Sequence, residues 1–512
     1  MRPCTNDEIN CDDMNYYIGI DIGTTSTKAV AFSVQGEILA RETIAYPILH
    51  PQAGYSEQDP DEILEAVING IGKITEKLND DNPVLISFSA AMHSIMAVDK
   101  NGNPLTNCII WADNRAASIA EQLKETDAGI AFYHKTGVPV HAMSPLCKLL
   151  WLKENMPALF AGAAKFIGNK EYIFFRLFGK YIADTAMASA TGLLNIHTLQ
   201  WDEAILSYAR IGIQQLAAVA DAGHQEYLPA GSKYQSDPRL QKVAKTAFII
   251  GGSDGALSNL GSGAVNKNAM VVSIGTSSAV RMVTRDVYTD ELMRTFCYHL
   301  ANHRYIIGGA SNNGAVVLQW FKESLLQTNE THEQLFTLAQ TVEPGCNGLL
   351  FIPYIMGERA PVWNSAAKGI FFGLDITHTK AHLVRSVMEG VVYNVYSIGK
   401  ILMEKRKVTE IYATGGFTQS PMWLQVLCDV FNCTVCVSGA VESAALGAVK
   451  IGLEAMGIEQ HWTHKTTQTY RPDALKHLSY LKQFEKFERI YEALKNEMGN
   501  QEAIKVKDSI GH

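Results

Sequence analysis

Residues 16–33 read YYIGIDIGTTSTKAVAFS, and this stretch decides the fold. Apolar residues alternate over Tyr16–Asp21 and again over Lys28–Ser33, which predicts two strands joined by a tight Gly-Thr turn. Gly23 lets a phosphate approach the backbone N–H groups, and the hydroxyls of Thr24 and Thr25 add donors. Asp21 adds a carboxylate at the strand end that can hold Mg²⁺ directly or through water. Taken alone, the turn fits a phosphate site and a plain hairpin equally well.

A similar sequence recurs near the middle of the chain. Residues 22–26 read IGTTS and residues 274–278 read IGTSS, each between two apolar strands. The repeat predicts two similar domains facing each other, with Gly275 and Thr276 forming a second phosphate turn. We expect a disordered arm or an artificial remnant at 1–15, an N-terminal domain at 16–253, and a C-terminal domain with a charged helical tail at 254–512.

Composition narrows the class of protein. The chain has 512 residues, a formal net charge of -8 and no block of Lys or Arg, which argues against nucleic acid or an anionic membrane as partner. Nine irregularly spaced cysteines fit reduced thiols in the cytoplasm. The polar start of the chain is unlike a signal peptide, and no apolar run approaches the ~20 residues that span a bilayer. A monomer and a homodimer both remain open.

Strands and helices alternate along the chain. Pro and acidic residues after Asp59 predict a helix start, and Val84–Phe88 reads as a buried parallel strand. A helix over 312–327 is predicted, with Asn312 or Asn313 as its N-cap. The alternation is typical of an α/β layer fold.

Asp254 follows an apolar strand, Ala247–Ile250, and precedes a predicted helix. A carboxylate there can accept a hydroxyl proton during phosphoryl transfer, or it can simply cap the helix. The residues themselves favour neither alternative.

Polar and aromatic side chains follow two other apolar strands of the first half. Met92 and His93 lie just beyond one, and Trp111, Asp113 and Arg115 lie just beyond the next. Since α/β folds bind ligands at strand ends, all five are candidates for substrate contacts. His93 and Trp111 are also residue types that are often simply buried.

Two longer stretches resemble the signatures of the FGGY carbohydrate kinases. They are MSPLCKLLWLKEN at 143–155 and GIFFGL at 369–374, the latter followed by HLVRSVME at 382–389. The chain has neither a GxxxxGK[ST] loop nor the HRD and DFG motifs of protein kinases. The resemblance implies two ribonuclease-H-like, actin-like ATPase domains with the active site in the cleft between them. It also implies an N-terminal domain that binds sugar and phosphate and a C-terminal domain that binds ATP.

Site residues carry over from this resemblance position by position. It implies that Asp21 lies near Mg²⁺ and that Asp254 is the general base. Nucleotide phosphates would contact Gly23, Thr24, Thr25, Gly275 and Thr276, and adenosine would lie against Gly415 and Gly416.

Three short runs most resemble the gluconate-phosphorylating members of this family. They are SAAMHS at 89–94, WADNR at 111–115 and GNKEY at 168–172. We therefore expect ATP-dependent conversion of D-gluconate to 6-phosphogluconate, with Arg115 or Lys170 meeting the substrate carboxylate. Phosphorylation of xylulose or another sugar or polyol is the alternative, and a non-catalytic actin-like chaperone or regulator is a more distant one.

Overall fold

The computed structural model describes residues 15–79, 82–264, 268–439, 442–460, 462 and 466–498. All but one residue of the predicted N-terminal arm, and the chain after 498, lie outside the described residues. No described helix is long and apolar enough to cross a membrane.

The N-terminal half is built on a six-stranded sheet with the order β13-β14-β5-β1-β2-β3. Its strands and those of the small flanking sheets are β1 (Tyr16–Ile22), β2 (Ser26–Ser33), β3 (Ile38–Ala45), β4 (Glu57–Gln58), β5 (Pro83–Ala90), β6 (Met96–Val98), β7 (Cys108–Ile109), β8 (Lys165–Ile167), β9 (Ile182–Asp184), β10 (Leu194–Asn195), β11 (Gln200–Trp201), β12 (Ala218–Ala220), β13 (Gln225–Glu226) and β14 (Ala247–Ser253). β1, β2 and β3 form an antiparallel meander, and β5 and β14 run parallel to β1. The predicted hairpin and the predicted parallel strand are both confirmed.

Eight helices belong to this half within the described residues. They are α1 (Pro60–Lys77), α2 (Ala117–Lys124), α3 (Asp127–Thr136), α4 (Pro145–Asn155), α5 (Pro157–Gly162), α6 (Asn169–Phe178), α7 (Thr185–Ser189) and α8 (Glu203–Ala209). α1 begins where the sequence predicts, because the Asp59 carboxylate accepts hydrogen bonds from the N–H groups of Asp61 and Glu62. Its apolar face packs on β2 and β3.

The C-terminal half repeats this plan in a seven-stranded sheet with the order β17-β18-β16-β15-β21-β22-β23. The strands of this half, of which β19 and β20 form a separate pair, are β15 (Ala269–Ile274), β16 (Ser278–Thr284), β17 (Phe296–Ala301), β18 (Arg304–Ser311), β19 (Leu350–Pro353), β20 (Gly369–Phe372), β21 (Glu410–Thr414), β22 (Thr434–Ser438) and β23 (Thr466–Tyr470). β15, β16 and β18 are antiparallel, and β21 and β22 run parallel to β15. The two halves therefore share a core of three antiparallel and two parallel strands, which confirms two ribonuclease-H-like domains.

The helices that follow β14 are α9 (Asp254–Gly261), α10 (Ala315–Trp320), α11 (His332–Ala339), α12 (Lys380–Lys405), α13 (Pro421–Phe431), α14 (Ser443–Ala455) and α15 (Ala474–Leu494). The helix predicted over 312–327 is shorter, because α10 begins at Ala315 and gives way to a π-helical turn at Phe321. The predicted asparagine N-cap is wrong. The Asn313 side chain instead donates to Gly357 O at 2.7 Å and to the Glu358 carboxylate at 3.0 Å.

Helix α14 ties the two halves together, because it packs on α9 and also on β1 and β5 of the first sheet. The approach is close enough to require glycine. A Cβ at Gly19 would lie 2.4 Å from Ala445 O, and one at Gly447 would lie 2.0 Å from Leu257 O. The ends of β1 and β14 and the start of α9 are thereby held beside one cleft. β14 ends at Ser253, and the division of the chain between 253 and 254 stays a prediction.

Candidate active site

A cavity of about 220 Å³ lies in the cleft and is lined by side chains from both halves. The N-terminal half contributes Thr24, Ala91, Met92, His93, Trp111 and Met143. The chain after β14 contributes Asp254, Ser277, Ser278, Ala279, Arg281, Phe296, Tyr298, Ala310, Arg359 and Trp363. Five of the predicted site residues, Thr24, Met92, His93, Trp111 and Asp254, therefore meet at one place.

The first Gly-Thr turn is braced by side chains of three other segments. The Tyr46 hydroxyl donates to Gly23 O at 2.8 Å, and the Gln58 amide donates to Thr24 O at 2.7 Å. The Trp111 indole N–H donates to the Thr24 hydroxyl oxygen at 3.0 Å. The carbonyl groups of the turn are thus engaged on the protein side. Since the Thr24 oxygen already accepts from the indole, its own proton remains available to an acceptor in the cleft.

The second turn is held by the start of α10. The Ala315 N–H donates to Gly275 O at 2.7 Å, and the Gly314 N–H donates to Thr276 O at 3.2 Å. A Cβ at Gly314 would lie 2.4 Å from Gly275 O and 2.5 Å from Ser277 O, so this contact requires glycine. The turn follows β15 as the first turn follows β1, and its neighbour Ser277 lines the cavity.

Gly415 and Gly416 lie beside the second turn, at the end of β21. Gly415 has a φ of 98°, and a Cβ there would lie 2.5 Å from Ile274 O. A Cβ at Gly416 would meet nothing within 4 Å, so the surface there is open. Neither glycine lines the 220 Å³ cavity; the adenosine contact predicted for them stays a prediction.

The carboxylates of Asp21 and Asp254 are close enough for the charge of one to act on the other. Ser89 Oγ donates to Asp21 Oδ1 at 2.9 Å. Burial first, and then the nearby charge of Asp254, raise the pKa of Asp21 to about 7. Two partly buried carboxylates that repel each other are a donor set that fits a hard divalent cation. Within the described residues, no group of three or more His, Cys, Asp or Glu is placed to hold a metal, so other ligands would have to come from phosphates and water.

Asp254 is the first residue of α9, directly after β14, and the N-cap position belongs to Ser253. The Gly255 N–H donates to Asp254 Oδ1 at 2.6 Å. Burial raises the pKa of Asp254, and the neighbouring charge of Arg281 opposes that rise. A carboxylate that lines the cavity and is less acidic than usual suits a proton acceptor.

His93 and Tyr298 face each other in the cavity wall. His93 has a φ of 68°, and its Nδ1 lies 2.8 Å from Ala190 O. Because a carbonyl oxygen only accepts, Nδ1 carries the proton, and the Nε2 lone pair faces the Tyr298 hydroxyl at 3.5 Å. Burial lowers the pKa of His93 to about 3, so the ring is neutral and offers hydrogen bonds rather than charge.

Lys148 supports this wall from behind, a role that the sequence did not show. It belongs to α4, within the first signature, and is fully buried. Its Nζ donates to His93 O at 2.7 Å and to Ile110 O at 2.8 Å, and so fixes the segments that carry His93 and Trp111. Burial lowers its pKa to about 7.

Asp113 and Arg115 do not line the cavity. Arg115 Nε donates to Asp113 Oδ1 at 2.9 Å, and Arg115 Nη2 donates to Glu57 Oε1 at 2.5 Å. The guanidinium carbon lies 3.9 Å from the centre of the Tyr55 ring. With its charge already paired and stacked, Arg115 fastens a loop beside the cleft, and the geometry does not favour it as the carboxylate partner.

Lys170 is also engaged elsewhere. It is 1% exposed, its Nζ lies 2.6 Å from Asp184 Oδ2, and it donates to Ile250 O and Gly252 O at 3.1 and 3.0 Å. It therefore holds the end of β14, the strand that leads into Asp254. The geometry supports a role for Lys170 in positioning Asp254 rather than in binding the substrate.

Two arginines in the cavity wall were not among the predicted site residues. Arg281 lies on β16 against Gly255, where a Cβ would be 3.0 Å from its Nε. Arg359 is 8% exposed, donates from Nη2 to Ser311 O at 3.1 Å, and lies 4.8 Å from the centre of the Trp111 ring. The useful signal for Arg281 was a charge inside an otherwise apolar strand.

Comparison of the sequence with known protein families gives a result that agrees with the fold and with the site. The model of the N-terminal domain of the FGGY family of carbohydrate kinases matches residues 16–261, and that of the C-terminal domain matches residues 270–456. The chain belongs to this family. It is therefore a carbohydrate kinase that uses ATP, and the non-catalytic chaperone or regulator is set aside.

Relatives within the family are similar over nearly the whole chain. Gluconokinase of Bacillus licheniformis is 42% identical over 458 residues, covering 86% of this chain and 88% of that protein. Xylulose kinase of Staphylococcus xylosus is 30% identical over 454 residues, covering 87% and 91%. Two solved structures from Lactobacillus acidophilus, described as gluconate kinase and as ligand-bound xylulose kinase, each superpose with a TM-score of 0.90 at 35% identity, covering 95% of this chain and 99% of theirs.

Proposed function

We propose that this kinase transfers the γ-phosphoryl group of ATP to the 6-hydroxyl of D-gluconate and so forms 6-phosphogluconate. The choice of gluconate as substrate rests on a difference in sequence identity. The chain is 42% identical to a gluconokinase and 30% identical to a xylulose kinase over similar lengths. The cavity agrees with the reaction type, because Asp254 and Thr24 of the first phosphate turn line one space.

In this proposal Asp254 accepts the proton of the 6-hydroxyl as the new P–O bond forms and ADP leaves. Its position at the start of α9, directly after β14, keeps the partly buried carboxylate at the cavity. His93, Trp111 and Met92 bind the hydroxyl-bearing chain of the substrate.

The ATP phosphates lie between the two turns, against Gly23, Thr24 and Thr25 on one side and Gly275 and Thr276 on the other. Adenosine rests on Gly415 and Gly416, where the surface is open. Asp21 holds Mg²⁺, which neutralises phosphate charge when it is bound. Closure of the cleft excludes water, which would otherwise compete as acceptor.

The test is a substrate panel of gluconate, xylulose, ribulose and glycerol with the purified full chain, ATP and Mg²⁺. ADP release is followed with a coupled assay, and 6-phosphogluconate is confirmed by its oxidation with 6-phosphogluconate dehydrogenase. We expect the highest kcat/KM for gluconate and little ADP without a sugar. A far higher kcat/KM for xylulose would replace the proposal with a xylulose kinase, which the equal superposition on both Lactobacillus acidophilus structures keeps as the alternative.

The cytoplasmic location and the monomeric or homodimeric state stay predictions. The seven cysteines of the described residues are free and buried, which is compatible with a reducing compartment.

A further inference from the structure

Two guanidinium groups, those of Arg281 and Arg359, line the cleft cavity without an ion-pair contact to any described residue, although the charges of Asp254 and Glu358 act on them from farther away. Within the described residues, neither Arg281 nor Arg359 has an Asp or Glu oxygen within 4.0 Å, although most other buried cations of the N-terminal half are paired or bound to carbonyls. The Nε atoms of both arginines are buried and have no hydrogen-bond partner among the described residues. A buried N–H group without an acceptor is costly, and a ligand that supplies one removes that cost.

The two charges also repel each other across the cavity. Burial lowers the pKa of Arg359 to about 10; the charge of the adjacent Glu358 opposes that fall, and the positive charge of Arg281 adds to it. Both charges act on the Tyr298 hydroxyl, which places this ring near each of them. An anion bound between the arginines would add two attractions that offset this repulsion, in a cavity where water screens charge less than bulk solvent does.

The other cations around the cavity are already engaged. Lys148 donates to backbone carbonyls, Lys170 pairs with Asp184, and Arg115 pairs with Asp113 and Glu57. His93 is neutral. Among the described residues that line the cavity, positive charge therefore comes from Arg281 and Arg359 alone.

We propose that Arg281 and Arg359 together form the receptor for the carboxylate of the sugar acid. The proposal rests on the proposed function and deepens it by naming the groups that select an acid over a neutral sugar. The planar fork of a guanidinium group matches a carboxylate in geometry and charge, and stacking on Trp111 fixes the orientation of Arg359.

The test compares Arg281→Met and Arg359→Met with the wild-type chain, using D-gluconate and D-glucitol, its neutral analogue with a CH₂OH group in place of the carboxylate. We expect the KM for gluconate to rise about 10- to 100-fold in each variant, the size of one lost charge-assisted hydrogen bond, with a smaller change in kcat. The KM for ATP should stay unchanged. The KM or Kd for glucitol should rise far less than the KM for gluconate does.

Conservative and matched variants sharpen the result. Arg281→Lys and Arg359→Lys keep the charge and should recover part of the gluconate affinity. Arg304→Met removes a cation that pairs with Glu454 outside the cavity and should leave both substrates unaffected. If circular dichroism and thermal unfolding show that Arg359→Met does not fold, the proposal is tested with Arg281→Met and Arg281→Lys.

Other results would overturn the receptor. A fall in kcat with an unchanged KM for gluconate would mean that the arginines act on the phosphoryl group in transfer. A selective rise in the KM for ATP would mean that they bind nucleotide phosphate. If the wild type prefers xylulose, the proposed function fails; if it prefers gluconate and both Met variants keep that preference, the receptor alone fails.

Discussion

Replacing Asp254 with asparagine removes one charge and one proton acceptor while keeping the shape of the side chain. The asparagine oxygen can still accept the Gly255 N–H that Asp254 accepts at 2.6 Å, so the start of α9 should be preserved. A positioned general base contributes ~10²–10⁴-fold to turnover. The barrier should therefore rise by about 2.7–5.5 kcal/mol, and kcat should fall at least ~100-fold.

The same substitution should not weaken the fold. Burial raises the pKa of Asp254, which means that the folded protein disfavours its ionised form relative to the unfolded chain. At pH values above the ordinary carboxyl range, the wild type carries this cost and the neutral amide does not. We expect the free energy of unfolding of Asp254→Asn, measured by urea denaturation near pH 7, to equal or exceed that of the wild type.

The assay is ADP release at saturating ATP and gluconate, with ATP affinity measured separately by equilibrium binding. Asp254→Ala should lose activity to a similar extent, and both variants should bind ATP nearly as the wild type does. Asp286→Asn is a matched control, since that carboxylate is 81% exposed and pairs with Arg406 away from the cleft. Turnover of either Asp254 variant within about threefold of the wild type would refute the base assignment.

Three further predictions follow from groups around the cleft. Arg115→Met should lower the free energy of unfolding in urea by ~3–5 kcal/mol, because the fully buried Asp113 loses its cation; a loss under ~1 kcal/mol would show that the pair is not structurally important. Lys148 has a folded pKa of about 7, below its ordinary 10.5, so the unfolded chain binds more protons than the folded protein between these two pH values. The free energy of unfolding of the wild type, relative to that of Lys148→Met, should therefore rise with pH in this range, by at most ~1.4 kcal/mol per pH unit. A difference in stability that does not change with pH would contradict the burial of the Lys148 charge. Chelation of Mg²⁺ should stop ADP release, and Asp21→Asn should raise the Mg²⁺ concentration for half-maximal activity; an unchanged Mg²⁺ dependence would remove Asp21 from the metal site.

Local sequence patterns were sufficient to predict the first strands and the presence of two similar domains. Alternation and glycine punctuation define β1, β2 and their turn, and the repeat at 274–278 indicates the second domain, because each of these signals lies within a few neighbouring residues. Asp59 was predictable as a cap for the same reason. The asparagine cap at 312–313 was not, since the side chain of Asn313 is bound to Gly357 and Glu358, 44 and 45 residues further on.

The charges of the site could not be assigned from sequence. Arg115 and Lys170 stand at strand or helix ends and look available, but Glu57 and Asp184 neutralise them from other segments. Arg281 lies inside an apolar strand, where a cation is easily passed over, and Arg359 reaches the cavity from a loop 78 residues later in the chain. Whether a cation is free depends on its partners in space, and sequence spacing does not report them.

The hydrogen bond from Trp111 to Thr24 has a consequence for the strength of ligand binding. One indole lines the space proposed for the sugar acid and also orients the hydroxyl proposed to contact ATP. Any shift of that ring on occupation by the first ligand changes the affinity for the second, and thermodynamic linkage makes the effect equal in both directions. The two substrates of this kinase are therefore expected to bind cooperatively, with a single side chain as the shared element.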